Sequence, residues 1–304
     1  MFWDIRRYGG RGGRRAGLAS GTRCVVDRDS DHAARVMLRC ARLIAAALLC
    51  GGLSGCGTPA SSPAAELSDI QRTFARATVV LPSFGAGAPL RTTMDSPAMA
   101  ARLQRIPGGS RMPVVVYLHG CTGLANFAFL ERLAEAGFVV VAPDSFARRF
   151  RPLQCDPQTR TGGRNLFVYD FRLEEIAFVM DELYVRRWVD WGRMFLVGAS
   201  EGGVATALYR GDEFKARVIA QWTCGGSPHV AGIAAPRNEP ILAVRSAQDP
   251  WYAAPGATGD CGVAMGDRPG SRSLVLELAA GHDVLAEPSV VLTIVEFLRL
   301  HASR

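Results

Sequence analysis

From residue 113 onward the chain alternates short, unbroken apolar runs with segments of helical period. The runs at 114–118, 138–142, 194–197, 218–222, 241–244 and 274–278 have the length and β-branched content of buried strands. Leu124, Phe127, Leu130 and Leu133 recur at three-residue spacing and stop at Gly137, which predicts a helix. Leu173, Ile176, Met180 and Leu183 predict a longer one, and a Gly-rich turn after 197 opens another that reaches Tyr209. A last helix over 287–300 presents Val291, Ile294, Val295 and Leu298. A long loop with Cys155 and Gly162-Gly163 separates the second run from the second helix. Continuous strands separated by helices predict a mostly parallel central sheet with helices on both faces, in one α/β domain over 70–304.

Composition changes this picture only at the N-terminus. The chain has 304 residues, 48% hydrophobic and 21% charged, which excludes collagen-like, coiled-coil and wholly disordered classes. No stretch supplies the eighteen or so apolar residues of a spanning helix. The net charge of +7 invites a nucleic-acid reading until it is located. Residues 1–55 hold ten Arg against four Asp, so six of the seven charges lie there, and Lys215 is the sole lysine. No nucleic-acid surface is expected. Arg39 and Arg42 precede the apolar run 43–50, and Leu53-Ser54-Gly55-Cys56 resembles the lipobox of bacterial lipoproteins. That resemblance implies a signal peptide over 37–55, an acylated Cys56 and a lipid-membrane partner. Gly57 resembles outer-membrane sorting, so the expected location is the cell envelope, lipid-anchored to the outer membrane and facing the periplasm. Residues 1–36 are expected to be a disordered extension or to precede the true start at Met37. Residues 57–69 read as a flexible tether, and an incidental Cys56 behind an ordinary secretory signal is the alternative.

Candidate chemistry begins at Gly198-Ala199-Ser200-Glu201-Gly202, which fits G-x-S-x-G between a strand and a helix. In a chain with 33 glycines that match is weak alone. A serine hydroxyl needs a histidine to take its proton and a carboxylate to orient the histidine. Asp249 follows the strand at 241–244 and His282 follows the strand at 274–278, in the order serine, acid, histidine. His119 precedes the serine, His229 precedes the acid, and His301 lies at the C-terminal end, so none fits that order. His119-Gly120-Cys121-Thr122-Gly123 follows the first strong strand, and the backbone N–H groups of Cys121 and Glu201 are the expected oxyanion donors.

These residues, with Ala142-Pro143-Asp144-Ser145-Phe146, resemble the α/β-hydrolase superfamily and its dienelactone-hydrolase-like group over 113–300. The resemblance implies an α/β-hydrolase fold without a large cap, because the stretch between 222 and 241 is short. It also implies the disulfides Cys121–Cys155 and Cys224–Cys261 at the active-site end. Dienelactone hydrolases proper use a cysteine nucleophile. Ser200 therefore shifts the expectation to a general serine carboxylesterase acting on an ester or lactone, with no cofactor and no metal. The alternatives are a peptidase or amide hydrolase on the same residues, and a non-catalytic binding lipoprotein with this fold. Trp222, Trp251 and Tyr252 are candidate pocket residues, or else core or rim. Arg148, beside Arg149 and Arg151, is a candidate for a substrate carboxylate or phosphate, or else part of a solvated loop.

Overall fold

Seven consecutive residues of β3 (Met112–Leu118) alternate their side chains between two apolar faces, and both faces are covered. Val114, Val116 and Leu118 meet one layer of helices, while Val115 and Tyr117 meet the other. This is why the strand reads as a continuous apolar run and not as an alternating one. The computed structural model describes residues 66–225, 230–253, 259–277 and 281–303. The leader, lipobox and most of the tether, together with His229, lie outside the described residues.

Eight strands form one sheet. β4 (Val139–Ala142), β3, β5 (Val189–Ala199), β6 (Ala216–Ala220), β7 (Ile241–Ser246) and β8 (Arg272–Leu276) are parallel neighbours in that order. β1 (Thr78–Leu81) pairs antiparallel with β4, and β2 (Leu90–Thr93) pairs antiparallel with β1 at the edge. This antiparallel pair goes beyond the six strands read from the sequence. β1 offers only the short run Val79-Val80-Leu81 ahead of Pro82, and β2 alternates half-buried and exposed positions.

On one face α3 (Phe127–Glu135) and α7 (Pro288–Ala302) bury Phe129, Leu130, Leu133, Ile294 and Leu298. On the other, α1 (Asp69–Ala75), α2 (Pro97–Leu103), α4 (Val168–Tyr184) and α5 (Glu201–Leu208) cover the sheet, with α4 contributing Ile176, Val179, Met180 and Leu183. Ser68 caps α1 through a reciprocal pair with Gln71. A short helix, α6 (Gly262–Met265), precedes β8. No helix among the described residues is long and apolar enough to cross a membrane.

The parallel strands all point their C-terminal ends the same way. Residues that follow β3, β5, β6, β7 and β8 therefore converge on one edge of the sheet, where ligand sites of such folds form.

Candidate active site

Ser200 sits between β5 and α5 at φ 55° and ψ −116°, a region that side chains with a Cβ rarely occupy. Its N–H donates to the Ala220 carbonyl at 2.9 Å, tying the turn to the end of β6. Close backbone approach makes the turn possible. A Cβ on Gly202 would fall on the Leu118 carbonyl oxygen and lie 2.8 Å from that of His119. On Gly203 it would lie 2.6 Å from the Ala220 oxygen. The glycines are thus a packing requirement of the strand–turn–helix unit.

Asp249 and His282 are brought together from the ends of β7 and β8. The His282 Nδ1 lies 2.7 Å from Asp249 Oδ2, while Asp249 Oδ1 accepts the Trp251 N–H at 3.0 Å. Asp249 is buried, and the His282 side chain is only one-fifth exposed. With its Nδ1–H donated to the carboxylate, the ring presents Nε2 as an acceptor. That Nε2 has no hydrogen-bond partner among the described residues. Ser200 and His282 line the same cleft of about 160 Å³, together with Gly120, Cys121, Gln221 and Trp251. The Trp251 ring lies 5.3 Å from the imidazole, centroid to centroid.

Gln221, one residue beyond β6, was not singled out from the sequence. Its Nε2 donates to Asp283 Oδ1 at 3.0 Å, and its carbonyl accepts the Tyr252 hydroxyl at 3.1 Å. The loops carrying the acid and the histidine are both fastened to this residue. Burial pushes the Tyr252 hydroxyl pKa upward, so it stays a protonated donor. The local signal was slight, a polar residue at the end of a buried strand.

His119 serves the loop after β3. Its Nδ1 lies 2.7 Å from the Gly120 carbonyl, and its Nε2 accepts the Ser145 N–H at 3.1 Å. These bonds require the neutral Nδ1–H tautomer, and burial beside Arg172 holds the imidazole pKa well below its ordinary value. Cys121 follows in this loop and shares a cleft with Ser200. Glu201 is the first residue of α5, so its N–H is one of those without an intrahelical acceptor. Because the unfolded chain binds a proton near pH 6.5 and the folded chain does so only at lower pH, stability from neutral His119 is complete above that value. It declines as pH falls from there toward the depressed pKa. Thermal unfolding between pH 7.5 and 5 should show this slope, up to about 1.4 kcal/mol per pH unit, and His119→Asn should flatten it.

Arg148 does not line either cleft at Ser200. Its Nε donates to Glu175 at 3.0 Å and its Nη2 to Glu174 at 3.0 Å, with the guanidinium stacked on Phe171. The sequence expectation of a substrate contact is therefore corrected: the long loop folds back over α4 and buries this arginine among carboxylates. Arg151, Arg172, Glu175, Ser145 and the Glu201 side chain complete the network, of which Arg172, Glu175 and the Glu201 side chain were not singled out from the sequence. Arg151 pairs with Glu201 and donates to Ser145 Oγ, which donates to Glu175. Arg172 lies 3.3 Å from Glu175 and 3.7 Å from Glu201. Burial raises the Glu201 carboxyl pKa, against the opposing pull of Arg172 and Arg151. The residue that follows Ser200 is thus held in place by charged partners.

A second cleft of about 170 Å³ meets the first at Ser200 and is lined by Trp222, Trp251, Tyr252, Leu166 and Tyr169. All three aromatic candidates from the sequence lie there. Disulfides join Cys121 to Cys155 and Cys224 to Cys261. The first ties the loop after β3 to the loop after β4 across 34 residues. Cys121→Ala with Cys155→Ala should cost about 3 kcal/mol in denaturant unfolding, as the loop after β3 loses its tie to the loop after β4. Among the described residues no group of three or more His, Cys, Asp or Glu is placed to hold a metal ion.

A sequence model of the dienelactone hydrolase family matches residues 99–258, more than half of the chain. The chain belongs to the dienelactone hydrolase family. The match includes Ser200 and Asp249 and ends before His282. This dienelactone hydrolase family member is a hydrolase with the α/β-hydrolase fold. No curated protein matches it in sequence. A protein of Klebsiella pneumoniae subsp. pneumoniae MGH 78578, provisionally named a dienelactone hydrolase, is 20% identical with a TM-score of 0.48, over 75% of this chain and 98% of that one. TT1662 from Thermus thermophilus is 17% identical with a TM-score of 0.48, over 75% and 98%. Est1E from Butyrivibrio proteoclasticus is 18% identical with a TM-score of 0.46, over 75% and 99%. Likeness at this level says nothing about the residues of the site.

Proposed function

We propose that this family member is a serine hydrolase of carboxylic esters or lactones, anchored in the bacterial cell envelope through acylated Cys56. The observation that carries the catalytic reading is Ser200 at a strained turn, sharing a cleft with a His282 whose Nδ1 is held by Asp249. Ser200 Oγ attacks the ester carbonyl as its proton passes to His282 Nε2. The carbonyl oxygen takes the negative charge, facing the N–H groups of Cys121 and Glu201. As the carbonyl reforms, the C–O bond to the alcohol breaks, and the imidazolium returns its proton to the departing alkoxide. Water then gives a proton to His282 and its oxygen to the acyl carbon. Ser200 leaves with that proton, and the free acid is released. Asp249 remains ionised throughout and stabilises the imidazolium.

Labelling by a fluorophosphonate probe tests this. The native protein should be labelled and Ser200→Ala should not. An unlabelled native protein sinks the serine reading. A panel of p-nitrophenyl esters beside the matching anilides should show turnover of esters first.

The envelope reading is supported by the lipobox at 53–56. The two disulfides also suit an oxidising compartment. Acyl mass on a Cys56-containing peptide, lost in Cys56→Ser together with membrane association, is the expected result. An unmodified cysteine in the membrane fraction would overturn the anchor.

A further inference from the structure

The loop after β4 turns its apolar side chains outward. Phe150 is 64% exposed, Leu153 58% and Phe167 43%, while the side chains of the neighbouring Arg148 and Arg151 are buried. Hydrogen bonds draw the two ends of the loop together, because Asn165 Nδ2 donates to the Leu153 carbonyl at 2.6 Å and Arg164 N–H to the Gln154 carbonyl at 3.2 Å. Leu153 thus lies near the start of α4, where Leu166 and Phe167 are also exposed, and Phe150 precedes Leu153 by three residues. Large apolar residues grouped on a surface mark a binding face more often than chance exposure does. Leu166, Gly162 and Gly163 of this loop also line the cleft that reaches Ser200.

The chain enters the fold at the same place. Asp69, the first residue of α1, accepts the N–H of Arg149 at 3.1 Å and that of Phe150 at 3.3 Å. Glu66 pairs with Arg149. Ten residues separate Glu66 from Cys56, a span of at most about 35 Å when fully extended. An acyl chain on Cys56 would hold the lipid surface within reach of the exposed loop. Arg149 pairs with Glu66 and Arg164 with Asp156, so these four charges at the loop compensate one another.

We propose that Phe150, Leu153, Leu166 and Phe167 form a docking face for the phospholipid surface, and that the cleft draws its substrate from that surface as a membrane-borne ester. This rests on the serine-hydrolase and Cys56-anchor readings above and assigns their substrate class.

The test uses full-length acylated protein and vesicles of phosphatidylethanolamine with brominated phosphatidylglycerol. Phe150→Trp should show bromine-dependent quenching beyond that of the wild type. Quenching equal to the wild type overturns the docking face. In a second arm, Phe150→Ser with Leu153→Ser should hydrolyse a long-chain ester embedded in vesicles at least about tenfold more slowly, with its rate on soluble p-nitrophenyl acetate unchanged. An equal loss on both esters, or on neither, overturns the assignment of a membrane-borne substrate. The underlying readings fail separately: an unacylated Cys56 is seen by mass, and absent hydrolysis of either ester is seen in the wild type. In both cases the quenching result still decides whether the face meets lipid.

Discussion

Ser200→Ala is expected to lower kcat/KM on a p-nitrophenyl ester by on the order of a million-fold, leaving only what the cleft and oxyanion donors provide. Asp249→Asn should cost about ten-thousand-fold, although the side chain keeps its shape. The Asn amide can donate its own N–H toward Nδ1, which favours the tautomer protonated on Nε2 and removes the base that the serine needs. The 2.7 Å contact between Nδ1 and Oδ2 is what makes this substitution informative. Because the three groups act as a unit, the double variant should be little worse than Ser200→Ala. Steady-state turnover of the purified variants checks each outcome. An Asp249→Asn protein within about tenfold of the wild type would remove Asp249 from its assigned role.

Gly202→Ala should be among the most damaging single methyl additions in the fold, beside Gly198→Ala. The added Cβ would occupy the position of the Leu118 carbonyl oxygen, a backbone atom in the central strand that cannot rotate away. β3 and α5 must then separate, at a cost of about 3 kcal/mol or more, which corresponds to roughly 6–12 °C in Tm for a domain of this size. Activity should fall with it, because the same displacement moves Ser200 relative to the loop at His119 and Gly120. Gly225→Ala is the matched control: its Cβ would meet nothing closer than Thr223 Oγ at 4.0 Å. That variant should unfold within about 0.5 kcal/mol of the wild type. Thermal and denaturant melts of the pair measure the difference.

The central parallel strands were legible in the sequence because their apolar runs are buried on both faces, whereas β8 at the sheet edge is only half-buried. Asp249 and His282 were legible by position, since parallel strands deliver the residues that follow them to one edge. Residues whose partners are remote in sequence were not legible. In Arg148-Arg149-Phe150-Arg151, two guanidiniums turn inward and the phenylalanine turns outward, the reverse of what hydrophobicity alone predicts. Burial of Arg148 depends on Glu175, and that of Arg151 on Glu201, 27 and 50 residues away. Arg217 makes the same point inside β6, where it is fully buried against Glu239 and the carbonyls of Thr206 and Gly211. No local pattern announces a buried charge whose compensation lies on another element.

Gln221 has a consequence for redesign of this enzyme. Tyr252 and Asp283 are the side chains that fasten the acid and histidine loops to it, so rim residues other than these two and His282 are the ones to vary when the cleft is reshaped. The histidine loop is held by the side-chain amide of Gln221 and the acid loop by its main-chain carbonyl, so the identity of residue 221 bears on the first. A library that holds position 221 constant should retain far more active members than one that randomises it, even though Gln221 takes no part in the reaction itself.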